Sequence, residues 1–271
     1  MTASTARPAV QDAAPNASPA QAGTLLRLDH VSRHYGTLKA VDDVSFDMGI
    51  GELRAVIGPN GAGKTTFFNL ISGFVPPTRG TVTFDGADIT RQPAVRRVAR
   101  GIVRTFQITE ILPDLDVFEN IRVGVETAAR LNPRPWISRA RRAAIDARVE
   151  ELIRIVDLGG KARRTVGELA HGDQRVVEVA MALSLNPRLL LLDEPTAGMG
   201  DAETDHMVGL IGRLHKEQGV SILFIEHDMD IVFGIAQRVT VLDQGRVLAD
   251  GTPDAIAADP KVRVAYLGTG A

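Results

Sequence analysis

No cysteine occurs among the 271 residues of this chain, which excludes disulfides and thiolate metal sites. Neither sign of charge dominates, since 31 Lys and Arg stand against 33 Asp and Glu for a formal net charge of -2. A sequence-wide basic field for a phosphate backbone is therefore missing, and no nucleic-acid partner is expected. Every uninterrupted apolar run falls short of the roughly 18 residues needed to cross a bilayer, so any membrane work is expected to pass through another chain. There is no internal repeat and no sustained heptad pattern. The first 23 residues are rich in Ala, Pro, Ser and Thr and lack the apolar core of a secretory signal. They are expected to form a disordered tail, residues 1–23, ahead of a folded region, residues 24–271.

What is present is an ordinary globular balance of 44% hydrophobic and 24% charged residues. Alternating apolar residues predict strands over 25–31 and 41–48, and a strand over 81–84 runs into the turn pair Asp85-Gly86. Three short apolar runs, 53–57, 189–192 and 221–225, read as buried parallel strands. Ligands bind at the carboxyl ends of such strands, which brings Gly58, Asp193 and Glu226-His227 to one sheet edge. Helical patterning rich in Arg, Glu and Ala fills about 91–185 and predicts a helical subdomain inserted into the α/β core. A second hairpin is expected around Asp243-Gln244-Gly245.

Gly58-Pro59-Asn60-Gly61-Ala62-Gly63-Lys64-Thr65-Thr66 matches G-x-x-x-x-G-K-[ST] without a mismatch. The glycines let successive N–H groups point at phosphate oxygens, and the dipole of the helix expected over 66–72 favours the same anion. Lys64 supplies a charge to the β- and γ-phosphates of ATP, and the Thr65 hydroxyl is placed to ligate Mg²⁺. A glycine-rich turn with a chance lysine is the bland alternative. Asp193 and Glu194 close the strand 189–192. Asp193 is the natural metal ligand, and Glu194 can polarise the attacking water. Alternatively, the acidic pair caps a helix that starts at Pro195.

Leu169-Ala170-His171-Gly172-Asp173-Gln174-Arg175, followed by a helix and then Leu189 to Gly198, resembles the signature of ABC ATPases. Gln107 looks like that family's glutamine loop, His227 like its switch histidine, and Tyr35 like the aromatic on which adenine stacks. Singly, Gln107 also fits a solvated loop, His227 a hydrogen-bonded histidine and Tyr35 simple packing. The order of the motifs, spread over about 24–269, carries the resemblance. It implies an α/β phosphate-loop ATPase core with a parallel sheet, an antiparallel β subdomain and the inserted helical subdomain. It also implies ATP and Mg²⁺ as ligands, with Thr65, Gln107 and Asp193 at the metal and Glu194, His227, Lys64 and Gln107 at the chemistry. Two subunits, identical or homologous, would sandwich ATP head to tail, each signature (Ala170, Gly172, Asp173) facing the partner's nucleotide.

Three positions depart from the family pattern. Ala170 stands for the usual serine, Asp173 for the usual glutamine, and Gly200 for a customary aspartate. Asp173 is expected either to accept from a ribose hydroxyl or to cap the helix that begins there. The 197–199 and 226–229 segments, the signature variant and the ending 262–268 resemble the ATPase subunits of branched-chain amino acid importers. That likeness implies integral-membrane permease partners, an extracytoplasmic solute-binding protein, and a peripheral place on the cytoplasmic face of the inner membrane. A urea or short-amide importer of the same branch is the alternative, and a non-transport ABC ATPase a more distant one. The Arg-rich segment 134–148, with Trp136, reads as a solvated helix face or as a surface for permease or lipid headgroups.

Overall fold

The computed structural model describes residues 23–105, 111–129 and 138–267. The expected tail, Gln107 and Trp136 lie outside these residues, apart from Gly23 at the tail's end. The antiparallel sheet has the order β2-β1-β4-β5, formed by β1 (Thr24–Tyr35), β2 (Leu38–Gly49), β4 (Arg79–Phe84) and β5 (Ala87–Asp88). Its strands reach further than the alternation predicts. Positive φ angles at His30 and Asp43 mark irregularities that let β1 and β2 continue past Val31 and start before Val41.

The second sheet has the order β10-β9-β3-β8-β7-β6. Strands β3 (Leu53–Ile57), β8 (Ser221–Ile225) and β7 (Leu189–Asp193) are buried along their whole length, which is why they read as continuous apolar runs. Strands β9 (Arg238–Asp243) and β6 (Ile102–Arg104) pair parallel with β3 and β7, and β10 (Arg246–Gly251) returns antiparallel to β9. Both hairpin turns fall where expected. Asp85-Gly86 and Gln244-Gly245 take positive φ at both central residues, the geometry of a two-residue turn matched to strand twist.

Helix α1 (Lys64–Ser72) lies between the two sheets, with Phe67, Phe68, Leu70 and Ile71 fully buried. It begins two residues before the expected Thr66. Its C-terminus meets the buried Arg97 of α2 (Ala94–Val98), whose guanidinium donates to Leu70 O at 2.6 Å and Ile71 O at 2.9 Å. The same group donates to Gln92 O at 2.9 Å and Thr90 O at 3.1 Å. It thus satisfies carbonyls that a helix end leaves open, and burial pushes it down to about 10.

The other face of the parallel sheet packs on α3 (Val117–Ala128), α4 (Arg139–Ile155), α5 (His171–Ser184) and α6 (Asp201–Gln218), completed by α7 (Met229–Ile235), α8 (Pro253–Ala258) and α9 (Pro260–Leu267). The helical stretch is narrower than 91–185. Ile102 and Val103 are buried in β6, a strand of the main sheet, so the helical layer proper starts at α3. A capping box at Asp116 and Glu119 opens α3, and Ser138 caps α4.

Candidate functional site

The register of β3, β8 and β7 aligns their carboxyl ends: Val56 pairs with Ile225, and Ile225 with Asp193. The segments that leave these strands therefore share one edge. The loop after β3 curls over the start of α1. Gly58 and Gly63 take φ of 155° and 101°, and a Cβ there would stand 2.2 Å from Leu242 O and 2.3 Å from Ala40 O, so only glycine fits both positions. The loop is closed by Ala62 N–H to Pro59 O at 3.1 Å and braced by Gly245 N–H to Ala62 O at 3.0 Å.

A cleft of about 530 Å³ opens above this loop, lined by Asn60 to Thr66 together with Glu194, His227 and Gln244. That is room for a small ligand. Lys64 starts α1 and is buried, its ammonium donating to Gly58 O at 2.6 Å and Pro59 O at 3.2 Å. Burial pushes its pKa below the usual lysine range, while the nearby Glu194 and Asp193 pull the other way.

Asp193 is buried at the end of β7. Its Oδ2 accepts from Arg104 Nη2 at 2.5 Å, and Arg104 Nη1 donates to Asn69 Oδ1 of α1 at 2.6 Å. One carboxylate oxygen is thereby committed to a guanidinium. Among the described residues no group of three or more His, Cys, Asp and Glu could hold a metal. The donors that remain are hard oxygens: the Thr65 hydroxyl, from a residue that lines the cleft, and the second oxygen of Asp193, beside the lining residue Glu194. This sparse set fits Mg²⁺, which binds through one or two protein oxygens and leaves the rest to phosphates and water.

Glu194 follows in a left-handed conformation, φ 49°, with its N–H on Ile225 O at 3.0 Å and its carbonyl accepting from Ala197 N–H at 3.1 Å. No helix begins at Pro195, because α6 starts only at Asp201. The helix-cap reading of Glu194 therefore fails. Its carboxylate meets His227 instead, Nε2 to Oε1 at 2.7 Å. A carboxylate and an imidazole in contact in the lining of this cleft can orient a water and accept its proton.

The other sequence-selected residues stand further off. Tyr35 ends β1 at the hairpin tip, 43% exposed, outside the cleft lining, with the Arg33 guanidinium carbon 4.5 Å from its ring centroid. Ala170 is the N-cap of α5 and supplies no side-chain cap. Gly172 N–H donates to Glu203 Oε1 at 3.2 Å. Asp173 does not cap the helix, which begins two residues earlier. It sits in the first turn and binds Lys161 Nζ at 2.7 and 2.6 Å. None of these signature residues lines the cleft. Arg104, Lys161 and Glu203 belong to no motif legible in the sequence. Their partners Asp193, Asp173 and Gly172 lie 89, 12 and 31 positions away, beyond any local pattern.

The family described as ABC transporter matches residues 41–197, and that described as branched-chain amino acid ATP-binding cassette transporter matches 246–271. The high-affinity branched-chain amino acid transport ATP-binding protein BraF of Pseudomonas aeruginosa is 38% identical over 250 residues, covering 90% of this chain and 98% of BraF. LivG of Escherichia coli K12, of the same description, is 38% identical with the same coverage. Among solved structures, the ADP conformation of an ATP-binding cassette of an ABC transporter is similar at TM-score 0.80 and 31% identity, covering 91% of this chain and all of that one. A nucleotide-free cassette is similar at TM-score 0.79 and 29% identity, with 90% and 99% covered.

Proposed function

The chain belongs to the ABC transporter family of ATP-binding subunits, and on that premise we propose that it hydrolyses ATP to power an importer of branched-chain amino acids. The observation that carries the chemistry is the Glu194–His227 contact at 2.7 Å, set beside the Lys64 loop. In this reading the N–H groups of the loop and the N-terminus of α1 bind the phosphates. Lys64 exchanges its carbonyl partners for β- and γ-phosphate oxygens. Glu194 takes the proton of the attacking water, and His227 orients Glu194 and touches the γ-phosphate. Mg²⁺, when bound, neutralises charge that develops on the phosphates. Thr65 and Asp193 would hold it, joined by Gln107. Arg104 keeps Asp193 from rotating away from this task. Tyr35 would stack on adenine through the ring face that Arg33 leaves free.

The signature residues lie outside the cleft lining of their own chain, which supports their use on the nucleotide of a second, homologous or identical, subunit. With Ala170 lacking a hydroxyl, backbone N–H groups at the start of α5 would meet that nucleotide. No helix among the described residues is long and apolar enough to cross a membrane, which fits a peripheral subunit on the cytoplasmic side of permease subunits. An extracytoplasmic binding protein would deliver the solute.

Reconstitution with the permease, the second ATPase subunit and the binding protein tests the reading. Leucine, isoleucine or valine should stimulate ATP hydrolysis. Stimulation by urea or short amides instead would move the chain to that branch, and solute-independent hydrolysis would remove it from transport.

A further inference from the structure

Glu226 follows the last residue of β8 and is buried, 4% exposed. A carboxylate there needs compensation for its lost hydration. The compensation is divided between its two oxygens. Oε1 accepts from Thr196 N–H at 3.0 Å and Thr196 Oγ1 at 2.5 Å, while Oε2 accepts from the backbone N–H of His227 at 3.2 Å. Thr196 is the third residue of the turn that opens with Glu194 and closes at Ala197. A non-glycine residue with positive φ, as Glu194 has, persists only where its surroundings over-determine it. Glu226 provides that restraint, because Thr196 is held by two bonds at once. The same side chain holds the residue that contacts Glu194.

We propose that Glu226 is a positioning residue for ATP hydrolysis, whose single carboxylate fixes the Glu194 turn through Thr196 and the His227 backbone through its N–H, and so sets the separation of the two reacting side chains. Glu226 does not line the cleft. It acts through the two residues it anchors, and Thr196 is its necessary counterpart. The proposal rests on the assignment of Glu194 and His227 to the hydrolytic step.

The test compares Glu226→Gln, Thr196→Val, Thr196→Ser and Glu194→Gln in the assembled transporter. It measures kcat, KM for ATP, the pH–rate profile and the melting temperature. Glu226→Gln must leave either Thr196 or the His227 N–H facing an amide NH2. Thr196→Val removes the hydroxyl donor at nearly constant shape. Both should lower kcat at least about tenfold, as slight misplacement of reacting groups does, with KM held within about twofold. Thr196→Ser should restore wild-type turnover. The limb of the pH–rate profile set by the Glu194–His227 pair should shift in the two damaged variants. Wild-type kcat in both would overturn the proposal. So would a fall in kcat that tracks melting temperature while the pH profile stays fixed, because that describes a purely structural carboxylate. Normal turnover in Glu194→Gln would remove the hydrolytic assignment itself, and the proposal with it.

Discussion

His227 Nε2 stands 2.7 Å from Glu194 Oε1, although 33 positions separate the two residues. They leave the ends of neighbouring parallel strands, β8 and β7, whose pairing of Ile225 with Asp193 fixes the distance between the departing chains. The contact is thus a consequence of sheet register, and its chemistry depends on groups that hold the two exits still.

Glu194→Gln should retain ATP binding and lose turnover. The amide keeps the size of the side chain and a hydrogen-bonding oxygen, but it cannot take a proton from water. A positioned general base contributes about 10²–10⁴ in rate. Single-turnover hydrolysis should fall by that order, while binding of a fluorescent ATP analogue stays near wild type. Undiminished hydrolysis would show that Glu194 is not the base.

Lys161→Ala should raise the ATP concentration needed for subunit association. Lys161 holds both oxygens of Asp173 in the first turn of α5. Without it, an uncompensated carboxylate faces the position proposed for the partner's phosphates. The pair is partly exposed, so an effect of about 0.5–1 kcal/mol is expected, or two- to fivefold in ATP. Light scattering against ATP concentration measures it. Lys161→Ala with Asp173→Gln should return to the wild-type midpoint, and an unrestored double variant would locate the effect elsewhere.

The strands at the site were legible because β3, β7 and β8 are buried on both faces and therefore carry uninterrupted apolar runs. The phosphate loop and the two-residue turns were legible because few residues tolerate their backbone angles. Strand β6 was not, since three residues among arginines show no period. The Arg104 contact with Asp193 was hidden for a different reason. It joins residues 89 positions apart, and only the strand order β8-β7-β6 brings Arg104 beside the carboxylate. Of the two roles expected for Asp173, the cap fails because helix α5 starts at His171, and a one-turn error in a helix boundary changes which donors a side chain can reach.

Arg97→Lys should destabilise the fold without touching the cleft. Arg97 is fully buried and serves four carbonyls from one planar group. Lysine offers three donors from a single point and cannot span that set. At least one buried acceptor loses its partner, at about 1–3 kcal/mol. Urea unfolding should show this loss, and Arg96→Lys, at an exposed neighbour on the same helix, should show none. Equal stability of the two variants would mean that α1 does not depend on this cap.

Gly172→Ala should be destabilising although alanine is the better helix former. A Cβ at this position would stand 2.8 Å from Glu203 Cδ, 2.8 Å from its Oε1 and 2.9 Å from its Cβ. The first two contacts could be relieved by turning the side chain, at the expense of the Gly172 N–H to Glu203 bond. The third cannot, because the Glu203 Cβ is fixed to the first turn of α6. Overpacking of this kind costs about 1–3 kcal/mol and the lost hydrogen bond about 0.5–1.5 kcal/mol. The gain in helix propensity offsets at most about 1 kcal/mol, so a net loss of roughly 1–3 kcal/mol is expected in urea unfolding. Glu203→Gly removes all three clashing atoms. In a double-mutant cycle, Gly172→Ala with Glu203→Gly should therefore be more stable than the sum of the single effects by at least about 1 kcal/mol, as expected for residues in contact. Strict additivity would mean that α5 and α6 separate freely at this point, and that the close approach of the signature to the start of α6 places no demand for glycine at position 172.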